Sequence, residues 1–311
     1  MKLAATAVLA ALLWTSAALA ETPRVVATIK PLHSLVAAVM GDLGSPQLIV
    51  RGGASPHTYS LRPSDAAALE AADVVFWTGH GMELFLEDAL DSLAADAAVV
   101  ELADSPGIEL LPIREGGAFE PHADEAEVHT ADDGHDHDHG EMDMHFWLDP
   151  VNAGHMVAAI ADALVTADPE HADIYKANAA AETARLEAPT AELDALLAPV
   201  RDRPFIVFHD AYQYFERRFG LTLIGSITVT PDTLPGAQRI SELRARIAEA
   251  NAICVFAEPQ FEPAVVATII EGTPARSGTL DPEGAGLAEG AGLYRQLPLG
   301  LATSLLDCLD A

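Results

Sequence analysis

A dense run of histidines and carboxylates in the middle of the chain is the first chemical signal in the sequence. Residues 135–139 read His-Asp-His-Asp-His, and no Lys or Arg occurs from residue 115 to residue 175. Neutral imidazole is the commonest side-chain ligand of zinc, and carboxylates add oxygen donors. The segment shows no helical or strand period, so we predict a mobile surface loop over residues 115–144 that binds metal weakly, with an inert acidic run as the alternative. The histidines of this low-affinity loop are His122, His129, His135, His137 and His139.

Three other histidines stand where a predicted strand or loop meets a predicted helix. His57 and His209 each follow a strand, and His145 directly precedes a helix. Open α/β sheets bind ligands beyond the carboxyl ends of their parallel strands, so these three side chains are expected to converge there. A single histidine of this kind is more often structural. The three together with the loop predict a tight metal site, because donors on rigid elements lose less entropy on binding than donors on a loop.

The donor types favour zinc among the divalent metals. Three imidazoles suit Zn²⁺ better than Mn²⁺, which prefers more oxygen ligands. The histidines His33, His155 and His171 fall on predicted helices or on the linker region, and we interpret them as structural. His80 follows a strand end, so we expect it at most to contact the ligands from behind and not to bind the ion itself.

The elements that position these residues alternate between short β-rich apolar runs and longer segments of helical period. This alternation is typical of parallel sheets covered by helices. In the first half we predict strands over 25–29, 47–50, 74–77 and 98–102, and helices over 32–40, 64–71 and 82–93. In the second half we predict strands over 205–208, 221–227, 253–257 and 275–279, and helices over 211–219, 237–250, 263–270 and 293–309.

A helical stretch over residues 151–197, broken at residues 168–169, joins the two halves. Pro189 is expected to kink this stretch or end it early, because proline removes a helix hydrogen bond. We therefore predict an α/β fold of two lobes, each with a mainly parallel sheet flanked by helices, joined by a long linker helix. The predicted limits are 21–165 for the first lobe, 166–200 for the linker and 201–311 for the second lobe.

The amino terminus predicts export from the cytoplasm. Residues 1–20 combine a lysine, an apolar run and a small-residue end, which is the pattern of a secretory signal peptide cleaved after Ala20. No cysteine stands directly after this point to carry a lipid, and no later stretch is long and uncharged enough to span a bilayer. We therefore expect a soluble periplasmic protein without direct membrane insertion.

Charge and cysteine content limit the partners and the redox state. The formal net charge of −30 excludes nucleic acid and anionic membrane surfaces as partners, and it suits a cation as ligand. The two cysteines, Cys254 and Cys308, are expected to form one disulfide in an oxidising compartment. Two separate buried thiols are the alternative.

Five motifs extend the argument from single residues to a family. They are SPHTYSLRPSD at 55–65, HFWLDP at 145–150, FHDAYQYF at 208–215, PGAQR at 235–239 and CVFAEPQF at 254–261. Together they resemble the metal-binding receptors of ABC importers known as cluster A-I, and within that family the ZnuA-type zinc receptors. The resemblance covers essentially the whole chain after residue 20, and the histidine-rich loop and the cysteines favour the zinc branch.

The resemblance implies two α/β lobes joined by a rigid helix, with the ion in the cleft between them. It also implies that His57, His145 and His209 are the metal ligands, and that the two cysteines pair with each other. Some ZnuA-type proteins have an acidic residue before the first ligand, where this chain has Pro56. The fourth ligand is therefore either water or Asp281, which corresponds to a position where related receptors supply a carboxylate.

The function implied is that of a periplasmic high-affinity zinc-binding protein that delivers Zn²⁺ to the membrane permease of an ABC transporter. We expect a monomer without enzymatic activity. The alternatives are a secreted zinc hydrolase, a manganese-selective receptor of the same family and a free-standing zinc buffer. A hydrolase is disfavoured because the sequence contains no His-Glu-x-x-His motif and no evident general base.

Overall fold

Two four-stranded parallel sheets, one in each half of the chain, form the framework of the protein. The computed structural model describes residues 22–114, 119, 142–228 and 235–310. The first sheet has the order β2-β1-β3-β4, and each neighbouring pair is parallel. Its strands lie within the ranges predicted from the sequence: β1 (Val25–Ala27), β2 (Gln47–Leu48), β3 (Val74–Trp77) and β4 (Ala98–Glu101).

Three helices accompany the first sheet. Pro31 and Pro63 lie in the first turns of two of them, where a missing N–H group leaves no helical hydrogen bond unmade. Strands β1 and β3 are buried along their whole length, which explains their continuous apolar sequences. The helices are α1 (Lys30–Met40), α2 (Pro63–Ala71) and α3 (Leu84–Leu93).

A short antiparallel pair follows, formed by β5 (Leu111–Pro112) and β6 (Met142–Asp143). The predicted loop over 115–144 is therefore wrong at its carboxyl end, since residues 142–143 form a strand and Met144 is buried. Two-residue strands contain too few side chains to show a period in the sequence. The loop histidines at 122, 129, 135, 137 and 139 and the predicted signal peptide lie outside the described residues.

The linker between the two lobes is helical, as predicted, and it is divided by proline. Helix α4 (Pro150–Ala167) is capped by Asp149, whose side chain accepts a hydrogen bond from the backbone N–H of Val151. Helices α5 (Ala172–Glu187) and α6 (Thr190–Leu197) follow, with Pro189 between them at the predicted break. Helix α5 packs on α1 and α4, which holds the linker against the first lobe.

The second sheet has the order β10-β9-β7-β8 and is again parallel. Its elements match the predicted set with small shifts at their ends. The strands are β7 (Phe205–His209), β8 (Leu223–Thr228), β9 (Cys254–Ala257) and β10 (Arg276–Thr279). The helices are α7 (Gln213–Phe219), α8 (Ala237–Ala250), α9 (Ala264–Ile270) and α10 (Leu293–Leu309).

Helix α10 ties the second sheet to the rest of the molecule. A disulfide between Cys254 and Cys308 joins it to β9, which confirms the predicted pairing. The same helix packs against α6 and α1, so it contacts the linker and the first lobe. Among the described residues, none of the helices combines the length and the apolar character that crossing a bilayer requires.

Candidate metal centre

The three predicted ligand histidines come together between the lobes. His57 lies in the turn region between β2 and α2, and His145 directly precedes a short 3₁₀ helix at Phe146–Leu148. His209 is the last residue of β7 in the second lobe. His145 and His209 are buried, and His57 is half-buried.

The Nε2 atoms of these histidines face one another at the spacing of ligands around one ion. The Nε2 atom of His145 lies 3.3 Å from Nε2 of His57 and 3.2 Å from Nε2 of His209. Two nitrogens that each bind a tetrahedral zinc ion at about 2.05 Å are separated by roughly 3.3 Å. Among the described residues, this is the one group of three or more potential ligands whose donor atoms all lie within 4.8 Å of one another.

Two buried carboxylates hold the histidines from behind. Nδ1 of His145 lies 2.8 Å from Oδ1 of Asp143, and Nδ1 of His209 lies 2.7 Å from Oε1 of Glu258. In the tautomer in which Nδ1 donates to the carboxylate, each Nε2 atom has a free lone pair. Two lone pairs facing each other at 3.2 Å repel unless a cation lies between them.

Burial and mutual repulsion set the pKa values of the histidines. Burial is the main cause that lowers the pKa of His145 well below its ordinary value, and the charge of His209 adds to it. The pKa of His57 is also well below its ordinary value, because of burial and then the charges of His145 and His209. Burial alone would also lower the pKa of His209, but the nearby carboxylate of Glu258 raises it above the ordinary value. Two of the three imidazoles therefore stay neutral and able to bind metal at neutral pH.

The cavity around the three Nε2 atoms is small. Its accessible volume is about 10 Å³, close to the space that one water molecule needs. Both lobes contribute to its walls, which are formed by Ser55, Pro56, His57, His145, His209, Glu258, Gln260, Phe261, Pro282 and Glu283.

Asp281, the predicted fourth ligand, lies beside this cavity but does not line it. Its Oδ1 atom accepts from Nε2 of Gln260 at 3.4 Å, and its Oδ2 atom accepts from the N–H of Gly286 at 3.2 Å.

Glu283 stands two residues after Asp281, lines the cavity and is 6% exposed. Burial, followed by the charge of Glu83, raises the pKa of Glu283 well above its ordinary value. A neighbouring dication would favour the ionised form of such a carboxylate.

The other described histidines lie apart from the cavity walls. Nε2 of His33 faces the carbonyl of Pro46, and Nδ1 of His171 faces Asp168, which agrees with structural roles. His155 packs close to Gly107. His80 contacts Glu101 and Trp77 and does not line the ion cavity, so its geometry gives no support for a place behind the ligands.

Sequence reasoning missed the two carboxylates behind the ligands. Asp143 stands two residues before His145, so a local signal was present within the acidic run. Glu258 directly follows β9 and lies 49 residues from His209, a pairing that only the fold reveals. Both residues lie at strand ends, and for Glu258 this position is the only signal that the sequence carries.

Comparisons with known proteins agree with this geometry. Residues 25–307 match the family model described as ZnuA, the periplasmic zinc-uptake complex component A. The chain is 50% identical over 310 residues to the high-affinity zinc uptake system protein ZnuA of Brucella suis, covering 93% of this chain and 92% of the relative. It is 38% identical over 292 residues to the protein of the same name from Yersinia pestis, covering 92% and 91%. A crystal structure of a ZnuA superposes with a TM-score of 0.74 at 28% identity, covering 91% of this chain and 99% of that one.

Proposed function

Because the chain belongs to the ZnuA family of periplasmic zinc-uptake components, we propose that it captures Zn²⁺ between its lobes and delivers it to the permease of an ABC transporter. The observation that carries the proposal is the set of three Nε2 atoms with separations of 3.2 and 3.3 Å. His57 and His145 belong to the first lobe and His209 to the second, so one ion bridges the lobes. Release can then follow from a small relative movement of the lobes.

The size of the cavity argues for a receptor and against the hydrolase alternative. A catalytic zinc keeps a ligand position open to a substrate. Here the accessible volume is about 10 Å³, well below the roughly 300–1,000 Å³ that is typical of pockets for organic ligands. The nitrogen-rich donor set also favours zinc over manganese as cargo.

Three finer statements belong to the same proposal. We propose export to the periplasm with cleavage after Ala20, action as a monomer, and lobe limits at 21–165 and 201–311 with the linker over 166–200. The relatives named above are components of zinc-uptake systems, which supports a membrane permease as the partner. The histidine-rich segment is proposed to supply additional weak metal sites.

A carboxylate of the loop after β10 is proposed to complete the coordination. Zinc takes four ligands in most protein sites, and three imidazoles leave one position. The sequence favours Asp281 as this ligand, whereas the structure favours Glu283 by its place in the cavity wall. Both acids lie on one loop, and we propose that one of them ligates the ion directly while the other remains beside it.

Calorimetry on the mature protein tests the proposed function. We expect one tight zinc site, and we expect His57→Ala, His145→Ala or His209→Ala each to weaken it at least about a hundredfold, because each removes one of few rigid donors. The matched control is His171→Ala, which removes a half-buried imidazole outside the cavity wall. Equal affinities in all four variants would refute the three-histidine site.

A further inference from the structure

Lys30 has an unusual position for a lysine. It is the first residue of α1 in the first lobe, and it is only 4% exposed. Its ammonium group donates to three backbone carbonyls of the second half of the chain: Gly284 at 2.6 Å, Ala285 at 3.0 Å and Leu287 at 2.8 Å. An ammonium has three N–H groups, so these carbonyls use its full capacity.

This arrangement is unfavourable on local grounds. The amino terminus of a helix is its positive end, so a cation there is repelled by the helix dipole. Burial also lowers the pKa of Lys30, while Asp281, Glu289 and Glu283 act in the opposite direction. A buried cation at this end of a helix therefore depends on the carbonyls that surround it.

Those carbonyls belong to the loop that closes the ion cavity. Pro282 and Glu283 form part of the cavity wall, and the loop continues directly into Gly284. Gly284 has a φ of +68°, a left-handed conformation that favours glycine and helps to turn successive carbonyls toward one donor. From the first lobe, Nε1 of Trp147 also donates to the carbonyl of Pro282 at 3.0 Å. Lys30 and Trp147 thus bind this loop from the first lobe at two separate points.

We propose that Lys30 is a positioning residue of the ion site, whose ammonium latches the loop at 284–287 onto the first lobe and so holds the cavity wall in place around the captured ion. The inference rests on the proposed zinc-binding function. Coupling is reciprocal, so an ion that bridges the lobes also stabilises the latch. Loss of the latch releases the ion faster and leaves its capture by the three histidines nearly unchanged.

The scarcity of lysine allows a direct test on the unmodified protein. Lys30 and Lys176 are the only lysines after residue 20, and Lys176 is exposed on α5. An amine-acylating reagent, followed by mass spectrometry of the peptides, reports the two side chains separately. We expect saturating zinc to slow the modification of Lys30 at least about tenfold and to leave Lys176 unchanged. Equal rates at Lys30 with and without zinc would overturn the latch.

A matched pair of variants provides the second measurement. Lys30→Met keeps an unbranched, flexible side chain of nearly the same length as the aliphatic part of lysine and removes its three donors, and Lys176→Met is the control. Zinc transfer to a chromogenic chelator gives the dissociation rate, which we expect to rise roughly tenfold or more in Lys30→Met, with an association rate within about threefold of the parent. An unchanged dissociation rate would overturn the proposal. A change of the association rate as large as that of the dissociation rate would also overturn it, because it would indicate a general structural role.

Failure of the latch can be distinguished from failure of the proposed zinc-binding function. If the parent protein binds no zinc in calorimetry, the proposed function fails before the latch is tested. If the parent binds zinc and Lys30→Met does not fold, the acylation rates of the parent decide alone.

Discussion

At the scale of single residues, the carboxylates behind the histidines decide which nitrogen faces the ion. Glu258 accepts from Nδ1 of His209, and replacement by an amide removes its charge. We expect Glu258→Gln to weaken zinc binding about ten- to a hundredfold, as loss of such partners does in other metal sites. Competition with a chelator measures the affinity, and Glu249→Gln on the exposed face of α8 is the control. An affinity within about twofold of the parent would show that Glu258 has no orienting role.

The two acids of the loop after β10 give a second residue-scale prediction. Glu283 lines the cavity, so Glu283→Gln is expected to weaken zinc binding more than Asp281→Asn does, and both more than the exposed Asp173→Asn. X-ray absorption on the zinc-loaded proteins counts the oxygen ligands. The reverse order of affinities would return the fourth position to Asp281. If both loop variants bound zinc as tightly as the parent protein, the fourth ligand would be water.

The pKa shifts of the ligands predict the pH dependence. Protons compete with zinc for imidazole, so affinity falls as pH drops through the pKa of each ligand. The pKa of His209 is raised above 6.5, whereas those of His57 and His145 lie well below it. We expect the logarithm of the affinity to fall with a slope near one per histidine as pH drops below the raised pKa of His209, and more steeply only in stronger acid, where His57 and His145 also take up protons. Calorimetry across this range would contradict histidine ligation if the affinity stayed constant.

The sequence predicted the three ligands because each stands at a strand end or loop end, a position that can be read from local patterns. Lys30 carried no such signal, since its partners lie more than 250 residues away along the chain. The same holds for Glu258, which a pattern of neighbouring residues cannot connect with His209. Local chemistry therefore pointed to the three histidines that the structure brings together, and only tertiary structure showed the groups that contact them.

At the scale of elements, the apolar runs predict the strands, and the differences between the predicted and the observed ranges lie at the strand ends. Residues 49 and 50 lie past the end of β2, yet their N–H groups still donate to the carbonyls of Ala27 and Thr28. The predicted range 47–50 therefore describes the hydrogen-bonded segment, although the regular strand is shorter. The pair β5 and β6 was missed because each strand has two residues, too few to show alternation.

The link between β9 and α10 gives a prediction for stability. The disulfide closes a loop with a sequence separation of 54, and its loss should lower the free energy of unfolding by about 4 kcal/mol in the chain-entropy model. The double variant Cys254→Ala/Cys308→Ala tests this in urea. We expect zinc affinity to stay within about threefold of the parent, because Cys254 begins β9 and Glu258 follows its other end. Parental stability in the variant would contradict the expectation, and the reduced parent protein serves as a second reference.

At the scale of the whole molecule, two deletions that differ by two residues separate the weak sites from the tight one. Removal of residues 120–141 should eliminate only weak zinc binding, since Met142 and Asp143 keep their places in β6. Removal of residues 120–143 should also weaken the tight site, because Asp143 holds His145. Calorimetry on the two proteins gives the number of sites and their affinities. If the shorter deletion abolished tight binding, the cleft would not be the primary site.

The small volume of the cavity also affects which ions can enter it at all. An ion that reaches the three Nε2 atoms must leave most of its hydration shell behind, because an accessible volume of about 10 Å³ is the space of about one water molecule. Magnesium dehydrates reluctantly and usually keeps several waters, and calcium needs six to eight oxygen ligands. We therefore expect the energetics of dehydration to disfavour the two abundant alkaline-earth cations, before any preference of imidazole for zinc takes effect.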